Sequence, residues 1–119
     1  MPIKELSPHG LEHEIVSNDI VIIQFYASWC DVCKSFAPVF ESAAERFPEI
    51  YFGKVNADRE PDLAREFEIK AVPSLLVFRE KILVFKEAGA PPPPILEDVL
   101  RQAKSLDMND VRRDIGSGA

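Results

Sequence analysis

Residues 20–26, Ile-Val-Ile-Ile-Gln-Phe-Tyr, form a nearly continuous apolar run rich in β-branched side chains, and the segment that follows changes period. An unbroken run of this length reads as a central strand buried on both faces, because a strand with one wet face would alternate. Downstream, Phe36, Phe40, Ala43 and Phe47 recur at steps of four, three and four, which is one face of a helix. A buried strand therefore runs into an amphipathic helix, and the two cysteines of the chain, Cys30 and Cys33, sit at the junction. Pro38 lies inside the helical stripe, where it removes a backbone hydrogen bond and is expected to kink the helix.

The remaining segments fit around this unit. Residues 3–6 alternate weakly as a strand. Ser7-Pro8 supplies an N-cap and a first helical residue for a helix that buries Leu11, Ile15 and Val16 and ends at Asn18-Asp19. Residues 51–55 read as a second core strand. Asn56-Ala57-Asp58 turns the chain, and Glu60-Pro61 opens a short helix running to Phe67. A strand over 74–78 follows Pro73, and Arg79-Glu80-Lys81 is a polar turn into an antiparallel partner over 82–86. Ala88-Gly89-Ala90 breaks the pattern. The four prolines at 91–94 read as a stiff extended entry to the last helix, a spacer in preference to a ligand for a proline-recognising partner. Leu96, Val99, Leu100, Ala103 and Leu106 form that helix's stripe. The order gives an α/β fold, a central mixed β-sheet flanked by helices on both faces. One domain is expected over 1–106. Residues 107–119 read as a polar tail, frayed or at most a short extra helix, whose last four residues resemble an appended remnant.

With 119 residues, 46% hydrophobic and 29% charged, the chain has the size and composition of one globular domain that folds without disulfide staples. A formal charge of −6 argues against a nucleic-acid partner. No stretch approaches the ~20 apolar residues of a membrane helix, and residues 1–6 carry no apolar leader. The expectation is a monomer in a reducing cytoplasm, with no membrane partner. Zinc needs four ligands, and two cysteines do not supply them. His9 and His13 share a helix face without a general-base motif, so two solvated histidines are the better reading.

Two residues between cysteines permit a disulfide within one helical turn. At a helix N-terminus, Cys30 meets unpaired backbone N–H groups and the positive end of the dipole, and both favour the thiolate. The thiolate is the attacking species in disulfide exchange, which makes Cys30 the nucleophile. Cys33, one turn deeper and expected to be less exposed, is the resolving thiol.

Phe25-Tyr26-Ala27-Ser28-Trp29-Cys30-Asp31-Val32-Cys33-Lys34, with Pro38 in the following helix, Val72-Pro73-Ser74, and Ala88-Gly89-Ala90 occur in this order. In these three pieces, and over residues 3–106, the chain resembles the thioredoxin family. The resemblance implies that Pro73 is cis and packs beside the cysteines. It also implies that Trp29, Val72, Pro73 and Gly89 line a groove for the substrate, glycine at 89 allowing close backbone approach. It implies a thiol–disulfide oxidoreductase that reduces protein disulfides, with a separate reductase as electron donor and no cofactor beyond the Cys30–Cys33 couple.

The chain departs from the family pattern at several positions. Asp31-Val32 replace the usual Gly-Pro between the cysteines. Asp31 suits a helix N-terminus yet places negative charge beside the Cys30 thiolate and should raise its pKa. Gln24 stands where the family commonly has a buried aspartate that assists proton transfer at the resolving cysteine. Glutamine cannot take up a proton, so slower resolution is expected, and the role of Lys54, the family's partner of that acid, is put in doubt. Ser74 replaces a threonine. Lys81 replaces a turn glycine, so a different turn type is expected there. These departures keep a second reading open: an interaction module that docks a partner on Trp29 and Val72-Pro73, with slow or vestigial redox activity. A thiol oxidant or isomerase of an oxidising compartment is a third.

Overall fold

The structure, a computed structural model, describes residues 3–117. Its elements in chain order are β1 (Lys4–Glu5), α1 (Pro8–Ser17), β2 (Ile20–Tyr26), α2 (Asp31–Arg46), β3 (Tyr51–Asn56), α3 (Pro61–Glu66), β4 (Ser74–Arg79), β5 (Ile82–Ala88), α4 (Pro93–Ser105) and α5 (Met108–Ser117). The sheet has the order β1-β3-β2-β4-β5. β1 and β2 run parallel to β3, whereas β4 is antiparallel to both β2 and β5, so the sheet is mixed as expected.

β2 occupies the centre, and its lack of alternation has a simple cause. Ile20 and Ile22 pack with Phe36 and Phe40 of α2 and with Leu96 and Leu100 of α4 on one face. Val21, Ile23 and Phe25 pack with Leu11 of α1 and Leu63 of α3 on the other. Both faces are covered, so both parities must be apolar. α1 begins as its sequence predicts: Ser7 Oγ accepts from the Gly10 N–H at 3.2 Å, with Pro8 in the first turn. Its buried face is narrower than expected, because Val16 is 57% exposed while Leu11 is buried. Gly53 on β3 marks a close approach of the chain: a Cβ there would lie 2.7 Å from the Leu6 side chain.

Two expectations need correction. Only half of the proline run is an extended spacer. Pro92 is extended, at φ −64° and ψ 159°, and caps α4, whose first turn contains Pro93 and Pro94. The first helical turn leaves its N–H groups unbonded, so residues without an N–H fit there. The β4–β5 turn also does not change type to accommodate Lys81. Glu80 and Lys81, the two residues between paired Arg79 and Ile82, take φ of 50° and 71°, the positive pair of a type I′ hairpin. Replacing Lys81 by glycine relieves an unfavourable left-handed residue and is offset by chain entropy. The expected net gain is about 0.5 kcal/mol, read as a Tm rise of ~2 °C.

Residues 108–117 form the short extra helix that the sequence allowed as the alternative to a frayed tail, with Met108 buried. Asp107 Oδ1 accepts from the N–H groups of Asn109 (3.0 Å) and Asp110 (3.3 Å) and starts α5. Arg79 closes the end of α4 by donating to the carbonyl oxygens of Ala103, Lys104 and Leu106 at 2.7, 2.9 and 3.2 Å. Arg112 pairs with Glu80 and ties α5 to the hairpin. On α4, Glu97 is buried at 8% exposure, where it is paired with Arg46 (2.6 Å) and Arg101 (2.9 Å).

Candidate active site

The C-terminal end of central β2 delivers the chain into α2, and Cys30 is the N-cap of that helix. Its Sγ accepts from the Cys33 backbone N–H at 3.1 Å. A helix start leaves this N–H without a backbone acceptor, so the sulfur meets a donor that costs the fold nothing. The two cysteines form a disulfide in this structure, with Cα atoms 5.2 Å apart. Each is 5% exposed, which differs from the expectation of a shielded Cys33 beside a more open Cys30. The bond draws both sulfurs into one small cluster with Ala27, against which Tyr26 and Val72 pack.

Two distant loops meet this cluster. The Val72–Pro73 peptide bond is cis, as the resemblance implied. The Val72 carbonyl oxygen lies 3.8 Å from Cys30 Sγ. The Gly89 N–H donates to the Pro73 carbonyl at 2.8 Å, which fastens the loop after β5 to the cis-proline loop. Gly89 has φ +111°, and a Cβ there would meet nothing within 4 Å. Glycine is required here for a backbone angle, and the space in front of it is open.

Trp29 is 68% exposed, yet its ring is held: Nε1 donates to Asp58 Oδ2 at 2.8 Å. Asn56 Oδ1 accepts from the N–H groups of Asp58 (3.0 Å) and Arg59 (3.2 Å), and Asn56 Nδ2 reaches Ser28 Oγ at 3.4 Å. The buried Asn56 thus joins the end of β3 to the loop carrying Trp29. Sequence reasoning saw Asn56-Ala57-Asp58 only as a turn. The usable signal was an asparagine positioned to close an Asx-turn directly after a core strand.

The departures from the family pattern separate by environment. Asp31 is almost fully solvated (97% side-chain exposure), with Lys34 Nζ 3.9 Å away. Its influence on Cys30 is therefore screened by water and by a cation. Val32 is 55% exposed beside it. Gln24 is buried on the parity of β2 that faces α2, and its cross-strand partners are Lys54 of β3 and Leu75 of β4. Lys54 Nζ sits over the Tyr26 ring, 5.4 Å from its centroid. The Tyr26 hydroxyl donates to Glu5 of β1. Burial, and then the Glu5 carboxylate, push the Tyr26 pKa up. Among the described residues, no three His, Cys, Asp or Glu side chains gather into a metal-holding group, and no helix is long and apolar enough to cross a membrane.

A cysteine pair at a helix start, a cis-proline loop against it and a glycine loop behind that invite comparison with known proteins. The family model described as Thioredoxin matches residues 2–102. The chain belongs to the thioredoxin family. It is 42% identical over 111 residues to a Streptomyces coelicolor protein named as a candidate thioredoxin 2, covering 93% of this chain and 83% of the relative. Oxidised mitochondrial thioredoxin 3 of Saccharomyces cerevisiae superposes with a TM-score of 0.79 at 32% identity, covering 84% of this chain and 94% of that one. A chain from a structure concerned with thiol resolution in yeast mitochondrial 1-Cys peroxiredoxin via the glutathione/thioredoxin systems gives 0.78 at 31% identity, with the same coverages of 84% and 94%. Family membership and the Cys30–Cys33 pair make this thioredoxin-family protein a thiol–disulfide oxidoreductase.

Proposed function

We propose that this thioredoxin-family protein is a monomeric reductant of protein disulfides in a reducing cytoplasm, with Cys30 as nucleophile and Cys33 as resolving thiol. The observation that carries the assignment of roles is the Cys33 N–H directed at Cys30 Sγ at 3.1 Å: the helix start favours charge on Cys30. The Cys30 thiolate attacks one sulfur of the substrate disulfide. The other sulfur leaves as a thiolate and takes a proton from solvent. Cys33 then loses its proton and attacks Cys30 Sγ, and the second substrate sulfur leaves. Two electrons have passed to the substrate, and the Cys30–Cys33 disulfide remains. A separate reductase restores the dithiol, and no cofactor beyond the couple takes part. Trp29, Val72, Pro73 and Gly89 present the surface on which the substrate chain lies, the Val72 backbone nearest the reacting sulfur. The comparison with a thioredoxin-system structure concerned with a peroxiredoxin supports protein thiols as the substrate class.

Dithiothreitol-driven precipitation of insulin tests this reading. Acceleration that disappears in Cys30→Ser is expected. A wild-type rate no faster than background would leave the interaction-module reading in its place.

Asp31 and Val32 tune this couple, and Asp31 does so weakly. Asp31→Gly removes a screened like charge next to the thiolate, an effect worth a few tenths of a kcal/mol. The expected result is a thiolate that forms a few tenths of a pH unit lower, read by absorbance at 240 nm, and a couple more oxidising by ~10 mV. Identical thiolate titrations and potentials in the two proteins would show that Asp31 has no influence.

A further inference from the structure

Beyond Gly89 the surface does not close. Between the end of β5 and the first turns of α4 lies a cleft of about 440 Å³, lined by Phe85, Gly89, Pro91, Ile95, Leu96 and Val99. This is within the size range of clefts that hold a ligand group. Three observations bear on its use. It adjoins the disulfide-exchange site through Gly89, which lines it and is also bonded to Pro73, whose neighbour Val72 approaches Cys30 Sγ. Its outer wall is stiff, because Pro91 and Ile95 are held by the proline run and the start of α4 that the run sets. Its mouth carries one charged lining group, Glu87, which is exposed and makes no ion pair among the described residues. The adjacent Lys86 is engaged elsewhere, donating to the Glu68 carbonyl at 3.1 Å.

We propose that this cleft is a specificity subsite for the disulfide substrate, taking a large apolar side chain that lies next to a basic residue in the substrate chain. The proposal rests on the disulfide-reductase reading above. Ile95 is 51% exposed at the open wall, so the free protein leaves apolar surface there for a substrate side chain to cover. The path from Cys30 Sγ through Val72 and Pro73 to Gly89 is on the order of 10 Å, which an extended chain covers in about three residues. The apolar side chain therefore stands two to four residues from the reacting cysteine, and the unpaired Glu87 carboxylate meets its cationic neighbour.

Short peptides test this, each with one cysteine linked by a disulfide to thionitrobenzoate. Phenylalanine or alanine is placed two, three or four residues from the cysteine on either side, next to lysine or glutamate. Second-order rate constants with pre-reduced protein are read from release of the chromophore, beside those for the small disulfide of Ellman's reagent. Phenylalanine should exceed alanine about tenfold at one spacing, the discrimination that one buried apolar group provides. Ratios taken within each variant cancel general changes in reactivity. The phenylalanine preference should fall below about twofold in Ile95→Asp, and the preference for lysine over glutamate should reverse in Glu87→Lys. Ellman's reagent reduced normally with equal rates for phenylalanine and alanine peptides at every spacing would overturn the subsite alone, as would a preference that survives Ile95→Asp. A charge preference unmoved by Glu87→Lys would overturn the basic neighbour. Failure to reduce Ellman's reagent at all would overturn the reductase reading beneath it.

Discussion

Replacing Cys30 by serine is expected to lower the rate of disulfide reduction by at least about a thousandfold, while replacing Cys33 by serine stops the reaction half-way. The asymmetry follows from position. Cys30 caps α2, with the Cys33 N–H directed at its sulfur and the Val72 carbonyl 3.8 Å away. Cys33 lies inside the first turn of α2, and no backbone N–H is directed at its sulfur as one is at that of Cys30. The Cys33→Ser protein should therefore accumulate a covalent adduct with a disulfide substrate, visible on a non-reducing gel and lost on adding dithiothreitol. The Cys30→Ser protein should form none. Equal adduct yields from the two variants would mean that either thiol attacks, and the division of roles would be lost.

Introducing an acid at Gln24 is the second large effect. Gln24 is buried on the face of β2 that α2 covers, and its amide cannot take up a proton. Cys33 must lose its proton before it can attack Cys30 Sγ. A positioned base for such a transfer contributes ~10²–10⁴-fold in favourable cases. Gln24→Asp is expected to speed the resolving step at least about tenfold in single-turnover experiments, with formation of the mixed disulfide nearly unchanged. Burying a carboxylate costs stability, so the same variant should also unfold at a lower temperature. An unchanged resolving rate would show that water already accepts the proton freely and that the glutamine is no handicap.

Where one local rule decides an element, the sequence was readable. The unbroken apolar run became central β2 because both faces of the sheet are covered. The four-three-four spacing of Phe36, Phe40, Ala43 and Phe47 became the buried stripe of α2, and Ser7-Pro8 started α1. The cysteine junction, the cis bond before Pro73 and the loop at Gly89 came together as the family resemblance implied. The sequence was divided, silent or wrong where distant partners decide. The sequence leaves residues 108–117 open between a frayed tail and a short helix, because the choice depends on Asp107 as a cap and on Glu80 across the surface. Lys81 tolerates a left-handed backbone because register on both sides of the hairpin demands a two-residue turn. Asp58 acquires its role from a tryptophan 29 residues away, a distance that no local pattern spans. Glu97 reads as one more surface acid, and only the packing of α4 against α2 places Arg46 over it.

The most direct single measurement is the reduction potential of the Cys30–Cys33 couple, obtained by equilibrating the protein against dithiol buffers and following the fluorescence of its one tryptophan, Trp29. A two-electron couple near −270 mV is the expected result, the range of a protein that passes electrons to disulfides. A value near ~−120 mV, where the disulfide form is a strong oxidant, would contradict a reductant and turn the same geometry toward making disulfides.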